Sequence, residues 1–158
     1  MNFINSKILS SSLLAMACWA GAARGADIVV TGNWSQTVNQ ADLASGAGSD
    51  IRTPIESSSA QATLDIANTL GGSWSVMARK SDLNWPAGVG IAVKRTSDGS
   101  GGGSISGGTA YITLTTSDQT LFSGSGDRTG IQLQLETNGL SVSHGADNYS
   151  LNIIYTIP

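Results

Sequence analysis

AQATLDIANTLGGSWSVMAR, Ala60 to Arg79, alternates apolar and polar residues twice, with Gly71-Gly72 between the two runs. In the first run Ala60, Ala62, Leu64 and Ile66 alternate with Gln61, Thr63 and Asp65; in the second, Trp74, Val76 and Ala78 alternate with Ser75, Met77 and Arg79. Period two sends successive side chains to opposite faces of a strand, whereas a helix repeats its apolar positions every three to four residues. The stretch therefore predicts two half-buried strands, and the paired glycines predict the turn between them.

The same period recurs outward in both directions. Val89, Ile91 and Val93 follow the breaker Trp85-Pro86-Ala87-Gly88, and Tyr111 to Thr115 forms a short β-branched run. Ile131, Leu133 and Leu135 alternate with Gln132, Gln134 and Glu136, and Tyr149, Leu151, Ile153, Tyr155 and Ile157 share one face of a closing strand. Turn signals separate the runs: Asp98-Gly99, Ser123 to Asp127, Asn138-Gly139 and Gly145 to Asn148. Seven or eight short strands at this spacing predict an all-β protein, an antiparallel β-sandwich. The glycine-rich segment SDGSGGGSISGG, Ser97 to Gly108, is expected to be a mobile hairpin tip or loop.

The first 25 residues, MNFINSKILSSSLLAMACWAGAARG, carry Lys7, an apolar stretch from Ile8 to Ala22 and small residues at Ala23 and Gly25. That is the layout of a secretory signal peptide with cleavage after Gly25. The apolar stretch, broken by Ser10, Ser11 and Ser12, falls short of the roughly 20 residues a spanning helix needs, so no stable membrane insertion is expected. Cys18, the only cysteine, leaves with this segment, and the exported chain must hold together without a disulfide. Six basic against eleven acidic residues remain, a net charge of −5 with the charges scattered. Such a balance gives no electrostatic footing for nucleic acid or anionic membrane. The expected organisation is signal peptide 1–25, an N-terminal strand 26–38, a linker 39–50 and a sandwich body 51–158.

Catalytic chemistry is poorly supplied. His144, the only histidine, stands in a polar turn, and without a second histidine or a cysteine the usual zinc sites and serine triads cannot be assembled. No enzyme activity, cofactor or resident metal is expected. Asp98, Asp118 and Asp127, in glycine- and serine-rich turns, offer oxygen ligands for calcium, though an aspartate in a turn ordinarily caps its own backbone. Trp34, Trp74 and Trp85 are the aromatic platforms a carbohydrate would stack on; alternation assigns the first two to the core and leaves Trp85 as the candidate ligand-binding residue.

DIVVTGNWSQTV, Asp27 to Val38, sorts by parity into one face of Ile28, Val30, Gly32, Trp34, Gln36 and Val38 and another of Val29, Thr31, Asn33, Ser35 and Thr37. Burying Ile28, Val30, Trp34 and Val38 would contribute a gross ~6 to 12 kcal/mol, comparable with a whole domain's net stability of about 5 to 15 kcal/mol. The acceptor is either the same chain or another. The twelve-residue segment NQADLASGAGSD, Asn39 to Asp50, reaches up to about 40 Å when extended and permits both. Donation to a neighbour would be a head-to-tail contact that does not close, and so makes a filament.

An exported domain of this size, with a glycine-interrupted alternating N-terminal strand and the C-terminal strand NYSLNIIYTIP, resembles the subunits of chaperone–usher fimbriae. It is closest to the cysteine-free pilins of the CS1/CFA and spore-coat-U-like classes. The resemblance implies an incomplete immunoglobulin-like fold, a periplasmic chaperone, an outer-membrane usher and donor-strand exchange between identical subunits at the cell surface, in attachment or biofilm formation. It makes Ile28, Val30, Gly32 and Trp34, with Val38, the donor positions. Tyr149, Leu151, Ile153, Tyr155 and Ile157 then border the acceptor groove and meet the chaperone. Ile157 stands second from the end, where such subunits often carry tyrosine. The competing expectation is a monomeric secreted sandwich that binds carbohydrate or another surface ligand through Trp85 and the glycine-rich tip near Gly101.

Overall fold

The structure is a computed structural model and describes residues 25–158. The expected signal peptide, with Lys7 and Cys18, lies outside the described residues except for Gly25. The chain folds into two antiparallel sheets packed as a sandwich. In the first sheet, β1 (Asp27–Thr31), β3 (Ala62–Ala67), β10 (Arg128–Asn138), β5 (Gly90–Arg95) and β8 (Ile112–Thr113) follow in that order; the two-residue β2 (Ile55–Glu56) and β6 (Ser100–Gly101) also pair with β10. The second sheet runs β11 (Ser150–Thr156), β4 (Ser73–Asn84), β9 (Gln119–Ser125) and β7 (Ile105–Ser106).

Period two translates directly into the core. Leu64, Ile66, Ile131 and Leu133 from the first sheet and Val76, Ala78 and Phe122 from the second are essentially inaccessible. Ala60, which continues the alternation in sequence, is exposed, because β3 starts only at Ala62. Trp74 meets Phe122 edge-on at 6.2 Å and donates its indole N–H to Gly126 O at 2.8 Å.

The described strand pairs carry three register shifts; one falls at the start of β11, between Ser150 and Leu151, and the other two adjust the faces of the core. Between Arg128 and Ile131, β10 spends three residues where β3 spends two, from Ile66 to Leu64. One extra residue reverses the parity, so Arg128 joins the inward row of Ile131, Leu133 and Leu135, and Asp65 receives the bulge's Gly130 N–H at 2.6 Å. In β9 the shift falls between the partners of Val76 and Met77, and consecutive Leu121 and Phe122 both become buried.

Strand β9 corrects the expectation that Ser123 to Asp127 is all turn: its serines and glycines continue a strand as far as Ser125. Gly124 is required by two neighbours at once, since a Cβ on it would stand 2.5 Å from both Ser104 O and the Trp74 indole ring.

The segment Ser97–Gly108, expected to be mobile, is instead a strap that pairs with the first sheet through β6 and with the second through β7. Two buried arginines hold it. Arg95 (6 % exposed) donates to Gly107 O at 3.0 and 2.8 Å and pairs with Asp98. Arg128 (9 % exposed) donates to Gly103 O at 2.8 Å and Asp98 O at 3.3 Å. Gly101 and Gly103 combine positive φ (+143 and +78) with close approach: a Cβ on either would lie 2.1 Å from the carbonyl oxygen of Asp127 or Ser125.

The linker segment Asn39–Asp50 carries local structure of its own. Asn39 caps the short 3-10 turn Gln40–Asp42, Leu43 bridges Ile51, and Ala44 N–H donates to Asp50 O at 2.8 Å. The Asp50 carboxylate accepts Val142 N–H at 2.9 Å, which ties the loop to the turn before β11 and holds that carboxyl below its ordinary pKa.

Candidate functional site

The two sheets end together on one flank, where β1 is the edge of the first and β11 the edge of the second, and the two strands approach each other. Each pairs on one side only, β1 with β3 and β11 with β4. Residues directly opposite in a register share a face, so Ile28, opposite Ile66, and Val30, opposite Leu64, point toward the core. Yet Val30 is 40 % exposed while Leu64 is fully covered. Leu151, Ile153 and Tyr155 on the inner face of β11 are likewise only half-buried, though they pack against the core. The sandwich is thus closed in its middle and open on this flank.

The opening is a groove of about 360 Å³ lined by Val30, Gly32, Asn33, Trp34, Ala62, Trp85, Ile91, Leu135, Tyr149, Leu151, Ile153 and Tyr155 among others, with no charged side chain. It continues into a wider cleft of about 680 Å³ bounded by Val38, Leu43, Ile51, Ile55, Leu140 and the loop before β11. Trp34, Trp85 and Tyr149 line both. Burial of the Tyr155 phenol pushes its pKa up by desolvation. Tyr149 donates its hydroxyl to His144 O at 2.6 Å, and His144 Nδ1 accepts Ser141 N–H at 3.1 Å, so the histidine serves as a local cap.

Strand β1 departs from its sequence reading in length and in burial. Pairing stops at Thr31, and Gly32 turns the chain at φ +120, a region that favours glycine. A Cβ at Gly32 would stand 2.6 Å from Gln61 O and 2.8 Å from Ala62 Cα. Beyond the bend, Trp34 packs against the core margin rather than inside it, and Val38 faces the wider cleft. Full burial of Ile28, Val30, Trp34 and Val38 is not reached, because the second sheet does not extend over this edge.

The other expected site residues divide. Tyr149 and Ile157 flank β11, and Ile157 packs on the core margin without lining the groove. Trp85 is not a free platform: it is half-buried and donates its indole N–H to Val89 O at 2.8 Å. Nor does it adjoin Gly101. Gly90, just after the Trp85 turn, pairs with Asn138 at the end of β10, while Gly101 pairs with Arg128 at its start, roughly 30 Å away along the strand. The three turn aspartates are each engaged within the chain: Asp98 with Arg95, Asp118 with Arg79 at 3.3 Å, and Asp127 with Thr69 N–H and hydroxyl at 2.9 and 2.6 Å. Among the described residues no group of three or more histidine, cysteine, aspartate or glutamate side chains is placed to hold a metal.

Alternation assigned Ile91 and Leu135 to the core but carried no sign that they floor an open flank. That depends on which strands end a sheet, and parity is silent on neighbours. The chain matches no known family model, and no curated protein or solved structure is significantly similar to it.

Proposed function

We propose that the protein is a structural subunit of an extracellular filament in which one subunit's β1 segment fills the open flank of the next. The observation that carries this reading is the uncharged groove between the β1 and β11 edges, with core-facing apolar side chains left partly covered. A strand laid along β11 would take up its unpaired main-chain groups and cover Leu151, Ile153 and Tyr155 in one step. The segment Asp27–Val38 matches that demand in chemistry: it alternates, and its single charge is Asp27 at one end. Under this reading the fold is an immunoglobulin-like sandwich short of one strand. The chain leaves through the periplasm, where a chaperone lends a strand to β11, and an usher in the outer membrane passes subunits to the surface. Among the described residues no helix is long and apolar enough to cross a membrane.

Assembly by strand donation gives an SDS-resistant ladder in unboiled samples that collapses to one band on boiling, and fibres by negative-stain microscopy. Deletion of Ala26–Val38 abolishes the ladder, and a synthetic peptide of those residues restores the stability of the truncated chain. Wild type that stays monomeric at high concentration, with a deletion variant of equal stability, would sink the reading.

A second reading draws on the convergence of Trp34, Trp85 and Tyr149 at the junction of the two cavities. Aromatic faces beside the amides of Gln36, Asn39 and Asn148 suit a neutral carbohydrate. Retention on a polysaccharide column that is lost in Trp85→Ala supports it; unchanged retention removes it.

A further inference from the structure

We propose that the pairing of β1 with its own β3 is an autoinhibitory clamp, so that release of β1 is the step that makes a subunit competent to assemble. The proposal rests on the strand-donation reading and concerns how that same flank is regulated. Strand β1 lies on β3 in continuous register from Asp27 opposite Ala67 to Thr31 opposite Thr63. A side chain secures each end: Asn68 Nδ2 donates to the Asp27 carboxylate, and Gln61 Nε2 donates to Asn33 O. Between them the Gly32 bend sits so close to Gln61 and Ala62 that no Cβ would fit. Past the bend, the chain's own Trp34 packs at the core margin and lines both parts of the groove.

The clamp therefore does two things at once. It holds the donor segment where no neighbour can take it, and it leaves Trp34 in the space a neighbour's strand needs. It is also a weak clamp, since Val30, on its core-facing side, remains 40 % exposed. Opening is unimolecular, whereas docking into a neighbour is bimolecular. The rate of growth accordingly reaches a plateau at high subunit concentration, set by the opening rate.

The test is a reversible lock. Directly opposed residues of an antiparallel pair have Cα atoms about 4.5 to 5.5 Å apart, within the reach of a disulfide. Thr31 and Thr63 are such a pair and lie on the face away from the core. Cys18 is the only natural cysteine and precedes the described residues, so Thr31→Cys with Thr63→Cys in the processed, exported chain forms a single unambiguous bridge. The expected result is a monomer when oxidised and a ladder with fibres when reduced, while the single variant Thr31→Cys assembles under both conditions. An oxidised double variant that assembles as fast as the reduced one overturns the clamp and leaves strand donation standing. Failure of reduced and wild-type protein alike to assemble overturns donation itself, and the clamp with it. Two measurements do not depend on the double variant. Gln61→Ala, which frees Asn33 O, shortens the lag of assembly about 2- to 10-fold, the effect of one lost hydrogen bond, and the wild-type growth rate levels off with concentration. An unchanged lag together with a rate that rises linearly throughout would also overturn the clamp.

Discussion

Val30→Asp separates folding from assembly at one position. In the free chain Val30 faces the core from an edge and keeps 40 % of its surface exposed, so about three-fifths of a valine's burial is realised there. Full burial contributes roughly 1.5 to 3 kcal/mol, and the substitution therefore costs the folded monomer about 1 to 2 kcal/mol. For a domain of this size that is a fall in Tm of roughly 3 to 10 °C. A carboxylate at this spot still reaches water in the monomer. In a filament where a neighbour covers the position, the same carboxylate loses its remaining water without a partner, and the effective penalty is several kcal/mol. Circular dichroism melting is expected to show a modestly destabilised fold, while the unboiled ladder and the fibres disappear. The contrast is Leu64→Asp on the neighbouring strand, fully buried in the free chain, which unfolds it outright. A Val30→Asp protein that assembles normally would refute the reasoning, because it would mean that the position stays wet in the filament. Outright unfolding would refute it from the other side, by showing that the edge is already closed in the monomer.

Gly124→Ala drives a Cβ against the Trp74 ring and Ser104 O and is expected to cost about 1 to 3 kcal/mol of overpacking, measured by urea unfolding; a Trp74→Leu background relieves only the indole contact and should recover part of that cost. Arg128→Met removes the donors to Gly103 O and Asp98 O, and faster amide exchange or proteolytic nicking within Ser97–Gly108 is the expected sign that the strap has come loose. The Tyr155 phenol has a folded pKa raised by desolvation, so its contribution is intact below the unfolded value near 10 and is lost as pH rises beyond it. Alkaline melting curves should show that loss in wild type and less of it in Tyr155→Phe. At the acid end, the Asp127 carboxyl is held low by the Thr69 hydroxyl and N–H, so its contribution is present above the unfolded pKa and fades as pH falls through the depressed one. Asp127→Asn should flatten that limb.

The sandwich was legible wherever burial alone decided the pattern. Leu64 and Ile66, Val76 and Ala78, and Ile131, Leu133 and Leu135 show their period in the sequence and are buried in the fold. Reading failed where a residue answers to one specific neighbour. Gly124 looks like a turn former until Trp74 is placed over it, and the glycines of Ser97–Gly108 look like a flexible run until Arg95 and Arg128 are found holding the carbonyls between them. Arg128 was hidden for a further reason: a bulge two residues later reverses its parity, and its one mark in the sequence is the left-handed Gly130, which alternation alone passes over. At the candidate site, the apolar face of Tyr149 to Ile157 was visible, and so was the glycine at position 32. That these segments border one opening with Trp85 was not, because sheet order comes from pairing across the whole chain.

The opposite margins of the two sheets end in β8 and β7, each two residues long, while β11 runs for seven. A two-residue margin offers few main-chain groups to recruit another chain, so under the strand-donation proposal the long β11 edge is the side that takes up a partner strand. In that proposal each subunit has a valence of two, one donor segment and one acceptor flank, which gives growth in a line, while the short β7 and β8 margins favour lateral stacking far less.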